Sequence, residues 1–218
     1  MNTEMFAALR RSTLGIAVFA VVTAGVIAVT QVATSERIAD NIAQAEARAL
    51  YEIVPRSVDD QLHEHRIPFD APELDLAQPR EAWQAIVDGE VKTVIMPVVA
   101  PDGYSGDIHL LVGINSDATV AGVRVLSHKE TPGLGDKIEP SKSNWLEGFV
   151  GKTQSGPGDD SWAVQKDGGQ FDQFTGATIT PRAVVNATGR AIQYFRAHKA
   201  RLLTPATESA GQEGSNAS

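Results

Sequence analysis

The chain contains no cysteine. That excludes disulfides, thiolate nucleophiles, thioether-linked haem, and iron–sulfur or zinc sites built on thiolates. Positive charge is scarce as well: 19 Lys and Arg stand against 27 acidic residues, for a formal charge of -8. A nucleic-acid partner is therefore excluded, because the phosphate backbone calls for clustered cations. There is no Walker lysine and no G-x-G-x-x-G run after a strand pattern, which disfavours a nucleoside triphosphate or a Rossmann dinucleotide. His63-Glu64-His65 offers two imidazoles without a third ligand nearby, so it reads as a solvated loop and no metal ligand is assigned. No internal repeat is present. Redox chemistry in such a chain has to ride on a cofactor held without sulfur.

One long apolar run is present. From Ser12 to Ser35 no residue is charged, and Leu14–Val32 is almost wholly aliphatic. About 20 such residues make a helix that crosses the roughly 30 Å core of a bilayer. Arg10 and Arg11 precede the run, which by the positive-inside tendency keeps residues 1–11 in the cytoplasm, 12–34 in the membrane and the remainder outside. A cleavable signal peptide and a twin-arginine export signal are the competing readings. The length of the run, and the lack of a small-x-small site near Val29–Ala33, favour an uncleaved single-pass anchor in a bacterial inner membrane.

The soluble part, 35–203, reads as one α+β domain with an antiparallel sheet and flanking helices. Ile38, Ile42, Ala45, Ala49 and Ile53 recur at helical spacing until Pro55, either as a continuation of the span or after a short break near Thr34-Ser35. Residues Asp59–Arg80 read as an irregular connection, and Glu81–Asp88 as a short helix with Trp83 and Ile86 inward. Val91–Ala100, Ile108–Ile114 and Thr119–Ser127 are Val- and Ile-rich strands joined by the turn signals Pro101-Asp102-Gly103 and Asn115-Ser116-Asp117. Pro97 marks the first of them as an edge or bulged strand. Ser141–Phe149 predicts a short helix and Trp162–Val164 another strand. A last helix starts with Thr180 as N-cap and Pro181 as first helical residue, burying Val184, Val185, Ala191, Ile192 and Phe195. Trp83, Trp145 and Trp162 read as core or interface residues, with stacking on a cofactor as the competing reading. The tail, 204–218, is polar and reads as disordered.

Two stretches are richer in special residues than a connection needs. One is His128-Lys129-Glu130-Thr131-Pro132-Gly133-Leu134-Gly135, which follows a strand and carries glycines that let a ligand approach the backbone. Its His128 and Glu130 fit either a proton relay to a cofactor or ordinary strand-end hydrogen bonding. The other is Asp172-Gln173-Phe174-Thr175-Gly176-Ala177-Thr178-Ile179-Thr180, which leads into the last helix. Hydroxyls before a helix N-terminus suit an anion, but on their own they serve equally as a cap.

The run Asp172-x-x-Thr175-Gly176-Ala177-Thr178 resembles the flavinylation motif of the FMN-binding domain family. The His128–Gly135 run and Gly103-Tyr104-Ser105-Gly106 resemble further segments of that family. With one N-terminal span and one such domain, the chain is similar to the G subunit of the Rnf (Rsx) electron-transport complexes, from the span to about Arg201. The resemblance implies FMN joined through its phosphate to the hydroxyl of Thr178 by a dedicated flavin transferase. It places Thr175, Gly176 and Ala177 at the phosphate end, and Thr131, Gly133 and Leu134 near the ring or ribityl chain, with His128 and Glu130 beside them. Asp172 becomes part of what the transferase recognises. No residue is assigned a catalytic role, since the flavin carries the chemistry. The implied function is electron relay in an ion-translocating oxidoreductase, with the other subunits of the complex and the membrane as partners. The FMN-bearing C subunit of a sodium-pumping NADH:quinone reductase and a non-catalytic anchored periplasmic binding module remain as alternatives.

Overall fold

The computed structural model describes residues 3–206. Its first compact unit reaches Ala45, and the second begins at Glu46. A single helix, α1 (Thr3–Ile53), runs without a break. Its aliphatic side chains between Leu14 and Val32 are exposed, and it is the one helix among the described residues that is long and apolar enough to cross a membrane. The hydroxyls at the polar end of the run are satisfied within the helix: Thr34 Oγ1 donates to Thr30 O at 2.8 Å and Ser35 Oγ to Val32 O at 2.9 Å. No break at Thr34-Ser35 is needed.

The second unit is an antiparallel meander with strand order β1-β2-β3-β4-β5. Its strands are β1 (Arg66–Phe69), β2 (Arg80–Val87), β3 (Glu90–Ala100), β4 (Ile108–Asn115) and β5 (Val120–Ser127). Both faces of the sheet are covered. On one face Val94, Met96, Val98, Leu110, Val112 and Val123 pack with Ala183, Val184, Ala187, Ala191 and Phe195 of the long helix α2 (Ile179–Ala197). On the other face Trp83, Ala85, Ile95 and Leu111 pack with Ala49, Leu50, Ile53 and Val54 at the end of α1. Alternation along each strand thus divides the aliphatic residues between two cores, and neither face is left for water.

The three aliphatic strands stand where the sequence puts them. The segment Glu81–Asp88 does not: it is strand β2, in place of the expected helix. Ala82 faces the α2 core while Trp83 and Ala85 face the α1 core, a period of two that outweighs the helix-favouring Ala, Glu and Gln content. The connection 59–80 is also more ordered than expected, since β1 pairs with β2 from Arg66↔Trp83 to Phe69↔Arg80. Pro97 fits its strand because the pairing of β3 with β2 ends at Ile95, so the proline lies where β3 is bonded only to β4. Segment 141–149 is reduced to a 3-10 turn at Trp145–Phe149. The expected strand 162–164 is reduced to one bridge, Val164↔Phe171. A short helix, α3 (Lys199–Leu202), follows α2. Thr204 and Ala206 are tied to Gln84, whose buried amide donates to Leu202 O and Thr204 O and accepts from the Ala206 N–H. The expected tail beyond them lies outside the described residues.

The register between β2 and β3 shifts at Ala85/Ile86, and the Ile86 N–H there donates to the buried carboxylate of Asp59 at 2.9 Å. Asp59 also meets His65 Nδ1 at 3.2 Å, while His63 Nδ1 meets the Tyr51 hydroxyl at 2.7 Å. The two imidazoles of the His-Glu-His run are thus engaged with different partners, and no cluster of metal ligands occurs among the described residues.

Candidate cofactor site

Three loops converge at the start of α2. The first joins β3 to β4 through Gly103–Gly106 and presents Tyr104, 68% exposed. The second follows β5. Its Leu134 and Gly135 N–H groups both donate to Thr131 O, at 3.1 and 3.0 Å, closing a tight turn before a 3-10 segment at Gly135–Ile138. The third is the Phe174–Ala177 turn, closed by Ala177 N–H to Phe174 O at 3.1 Å, with Gly176 at φ 84°. Only a residue tolerant of positive φ fits that position without strain.

Between the loops lies an open cavity of about 300 Å³. Tyr104 lines it from the first loop, Glu130, Thr131, Leu134 and Gly135 from the second, and Gly176 to Thr180 from the third and the helix start. Its mouth is apolar, with Leu134 42% and Ile179 44% exposed. The first turn of α2, where N–H groups have no partner within the helix, forms part of its wall. No Lys, Arg or His lines it.

Thr178 occupies the N-cap position, yet its side chain makes no capping hydrogen bond. Thr180, expected as the cap, is instead the second helical residue, and its hydroxyl donates to Glu130 Oε2. With that hydroxyl engaged, Thr180 cannot cap, and the helix begins earlier, at Ile179. Pro181 remains compatible because it still falls in the first turn, where a missing N–H costs no intrahelical bond. Glu130 is buried at 5% exposure, and its Oε1 accepts the Ser105 N–H at 2.9 Å. Gly135 is packed against the same group: a β-carbon there would lie 2.8 Å from Thr180 Oγ1 and 2.9 Å from Glu130 Oε2. The loop is braced also by the buried Asp136, whose carboxyl is held below its usual pKa by the Gly133 N–H and, less strongly, by Lys142.

Of the residues expected at a cofactor, the structure brings Glu130, Thr131, Leu134, Gly176, Ala177 and Thr178 together around the cavity. His128, Gly133 and Thr175 stand outside its lining. His128 Nε2 meets Glu139 Oε1 at 3.1 Å and Nδ1 accepts the Glu130 N–H at 3.0 Å, so the ring braces the loop. Asp172 lies at a separate groove, where its carbonyl accepts the Trp145 indole N–H at 2.8 Å. Sequence reasoning did not single out Tyr104, Gly135, Ile179 and Thr180 as site residues. The Gly-Tyr-Ser-Gly run is the sequence signal for the first of these, and Thr180 carries only the signal of a helix cap. Trp83 and Trp162 are buried in the core, and Trp145 packs edge-on against Phe149 and Phe174.

A family model of the FMN-binding domain matches residues 103–193, which contain all three loops. A second model, of the RnfG N-terminal region, matches residues 1–53, the whole of α1. The G subunit of an ion-translocating oxidoreductase complex from Pseudomonas aeruginosa is 49% identical over 215 residues, covering 96% of this chain and 100% of the relative. The G subunits of the same kind of complex in Aliivibrio fischeri and Vibrio cholerae are each 43% identical, over 202 and 209 residues. They cover 92% and 95% of this chain, and 96% and 100% of their own lengths.

Proposed function

The chain belongs to the G-subunit family of ion-translocating oxidoreductase complexes, and on that premise we propose that it relays electrons through an FMN esterified to Thr178. The observation that carries this reading is the state of Thr178. Its hydroxyl makes no capping bond at a helix start, and it borders a cavity with an apolar mouth. The residues fit the group. The first turn of α2 offers unpaired N–H groups and a positive dipole end to the phosphate. Leu134, Ile179 and Tyr104 offer apolar surface to a ring, and Thr131 a hydroxyl. When bound, FMN supplies one- and two-electron chemistry, and the protein's part is to hold it and set its potential.

A covalent tether suits a cysteine-free chain whose cavity has no cation to hold a free phosphate. A flavin transferase would recognise the Asp172–Thr178 segment, with Asp172 on the groove side and Thr178 on the cavity side. Arg10 and Arg11 ahead of the span keep the N-terminus in the cytoplasm, which puts the flavin domain in the periplasm beside the integral-membrane subunits. Relay at that position serves coupling of electron flow to ion translocation.

The test is an intact mass of the full chain co-expressed with a flavin transferase, beside Thr178→Ala. A gain of one FMN minus water in the parent, absent in the variant, is the expected result. No gain in the parent, with the transferase active on a control substrate, would leave an anchored domain without this cofactor.

A further inference from the structure

The cavity beside Thr178 contains one ionisable carboxyl group and, among the described residues, no cation. That group is Glu130, and no residue of the relay so far described uses it. Its burial is nearly complete, at 5% exposure. Both oxygens are engaged by donors from different segments: Oε1 by the Ser105 N–H of the β3–β4 loop at 2.9 Å, and Oε2 by the Thr180 hydroxyl in the first turn of α2. An N–H and an O–H directed at the two oxygens are the partners that a carboxylate, an acceptor at both atoms, requires. Yet the surrounding cavity wall provides no opposite charge, since its other members are Tyr104, Thr131, Leu134, the glycines and residues 177–180.

We propose that Glu130 sets the reduction potential of the flavin held in this cavity, by placing a fixed negative charge beside it and clasping the loop to the helix that carries Thr178. The proposal rests on the reading of the cavity as the flavin site. Reduction of a flavin held there would add negative charge to the extent that no proton accompanies the electrons. A buried carboxylate beside it, with no cation on the cavity wall, would oppose that added charge and lower the potential. The clasp keeps the charge fixed, because the two hydrogen bonds and the close packing of Gly135 leave the carboxylate no room to turn away.

Glu130→Gln separates charge from clasp. The amide oxygen still accepts from Ser105 N–H, and the amide N–H₂ donates to the Thr180 oxygen, whose hydroxyl is free to rotate. The full chain, co-expressed with a flavin transferase and purified in detergent, would be compared as parent, Glu130→Gln and Glu130→Asp. Flavin content is read by intact mass, stability by thermal unfolding, and midpoint potential by spectroelectrochemical titration. Glu130→Gln is expected to acquire FMN and to unfold near the parent temperature, with its midpoint potential shifted upward. Glu130→Asp, which keeps the charge, is expected to stay close to the parent potential. A fully flavinylated Glu130→Gln with an unchanged potential overturns the proposal, and so does an equal shift in Gln and Asp, which would assign the effect to shape. Should Glu130→Gln not fold, the double variant Glu130→Met with Thr180→Val takes its place, since replacing both partners of a buried hydrogen bond by apolar groups of similar shape is tolerated. Removal of the charge must then raise the potential, and an unmoved potential overturns the proposal. Failure of the flavin reading is distinguishable, because it appears as a parent protein without added mass.

Discussion

Ile53 rests on Gly113: a β-carbon built on that glycine would collide with Ile53 Cγ2. Gly113 is paired across the β4–β5 ladder with Gly122, whose own β-carbon would lie 3.4 Å from Ile53 Cγ1 and Cγ2. A cross-strand pair of glycines thus makes a bare patch on the sheet, and the last turn of α1 seats on it. Gly113→Val should lower the stability of the soluble unit by about 1–3 kcal/mol, the usual cost of forcing extra carbon into a filled contact. Thermal and urea unfolding of the full chain in detergent, followed by circular dichroism, measures this. An unchanged transition would mean that the helix end does not depend on that seat.

Thr178 and Thr180 are two residues apart and should differ in what they contribute to the stability of the protein made without a flavin transferase. Thr178→Ala removes a hydroxyl that makes no cap bond, so the stability of the flavin-free chain should change by less than about 0.5 kcal/mol. Thr180→Ala leaves the buried Glu130 with one donor fewer and should cost about 1–3 kcal/mol. Equal effects in the two variants, in protein made without transferase, would contradict this account of the helix start.

Arg124 joins two distant parts of the domain. Its Nε meets Glu52 Oε2 at 2.9 Å on α1, and a terminal nitrogen meets Glu147 Oε1 at 3.0 Å in the turn after the second loop. The arginine side chain is 11% exposed and both carboxylates about half exposed, so solvent screens the pairs. Arg124→Ala should destabilise by roughly 1–2 kcal/mol, less at high salt. The salt dependence of the difference in unfolding midpoint is the check, and a salt-independent difference would point to lost packing alone.

Asp136 makes the loop after β5 sensitive to acid. The Gly133 N–H, then Lys142, lower its folded pKa below the ordinary 3.8. The folded state therefore binds this proton less readily than the unfolded state. The stabilisation is fully present above about pH 4 and disappears as pH falls through the lower folded value. Asp136→Asn should be less stable than the parent near neutrality, with the gap narrowing in acid. Unfolding temperatures between about pH 6 and pH 2 measure it; a gap that widens on acidification would show the opposite sign of linkage.

Much of the molecule is legible in the sequence where one physical signal dominates. The membrane-length run, the three aliphatic strands with their turn residues, and the amphipathic face of α2 all come from local pattern. So does the pairing of Thr-Gly-Ala-Thr with a helix start. The misread segments are those where local preference and tertiary demand disagree. The Ala-, Glu- and Gln-rich segment 81–88 favours a helix in isolation. It becomes β2 because β1 and β3 offer ladders on both sides and two cores each take alternate residues. The Thr180 hydroxyl looks like a cap until Glu130, fifty residues earlier, takes its hydrogen bond.

By itself, the sequence determined the apolar span, the absence of sulfur chemistry, and the hydroxyl offered at position 178, because each is a property of residues close together in the chain. Only the tertiary structure decided that the β3–β4 loop, the loop after β5 and the head of α2 enclose one cavity. It also decided that a buried carboxylate ties them together and that two glycines leave a seat for the end of α1. Those relations join segments tens of residues apart, and they exist only once both faces of the sheet are covered.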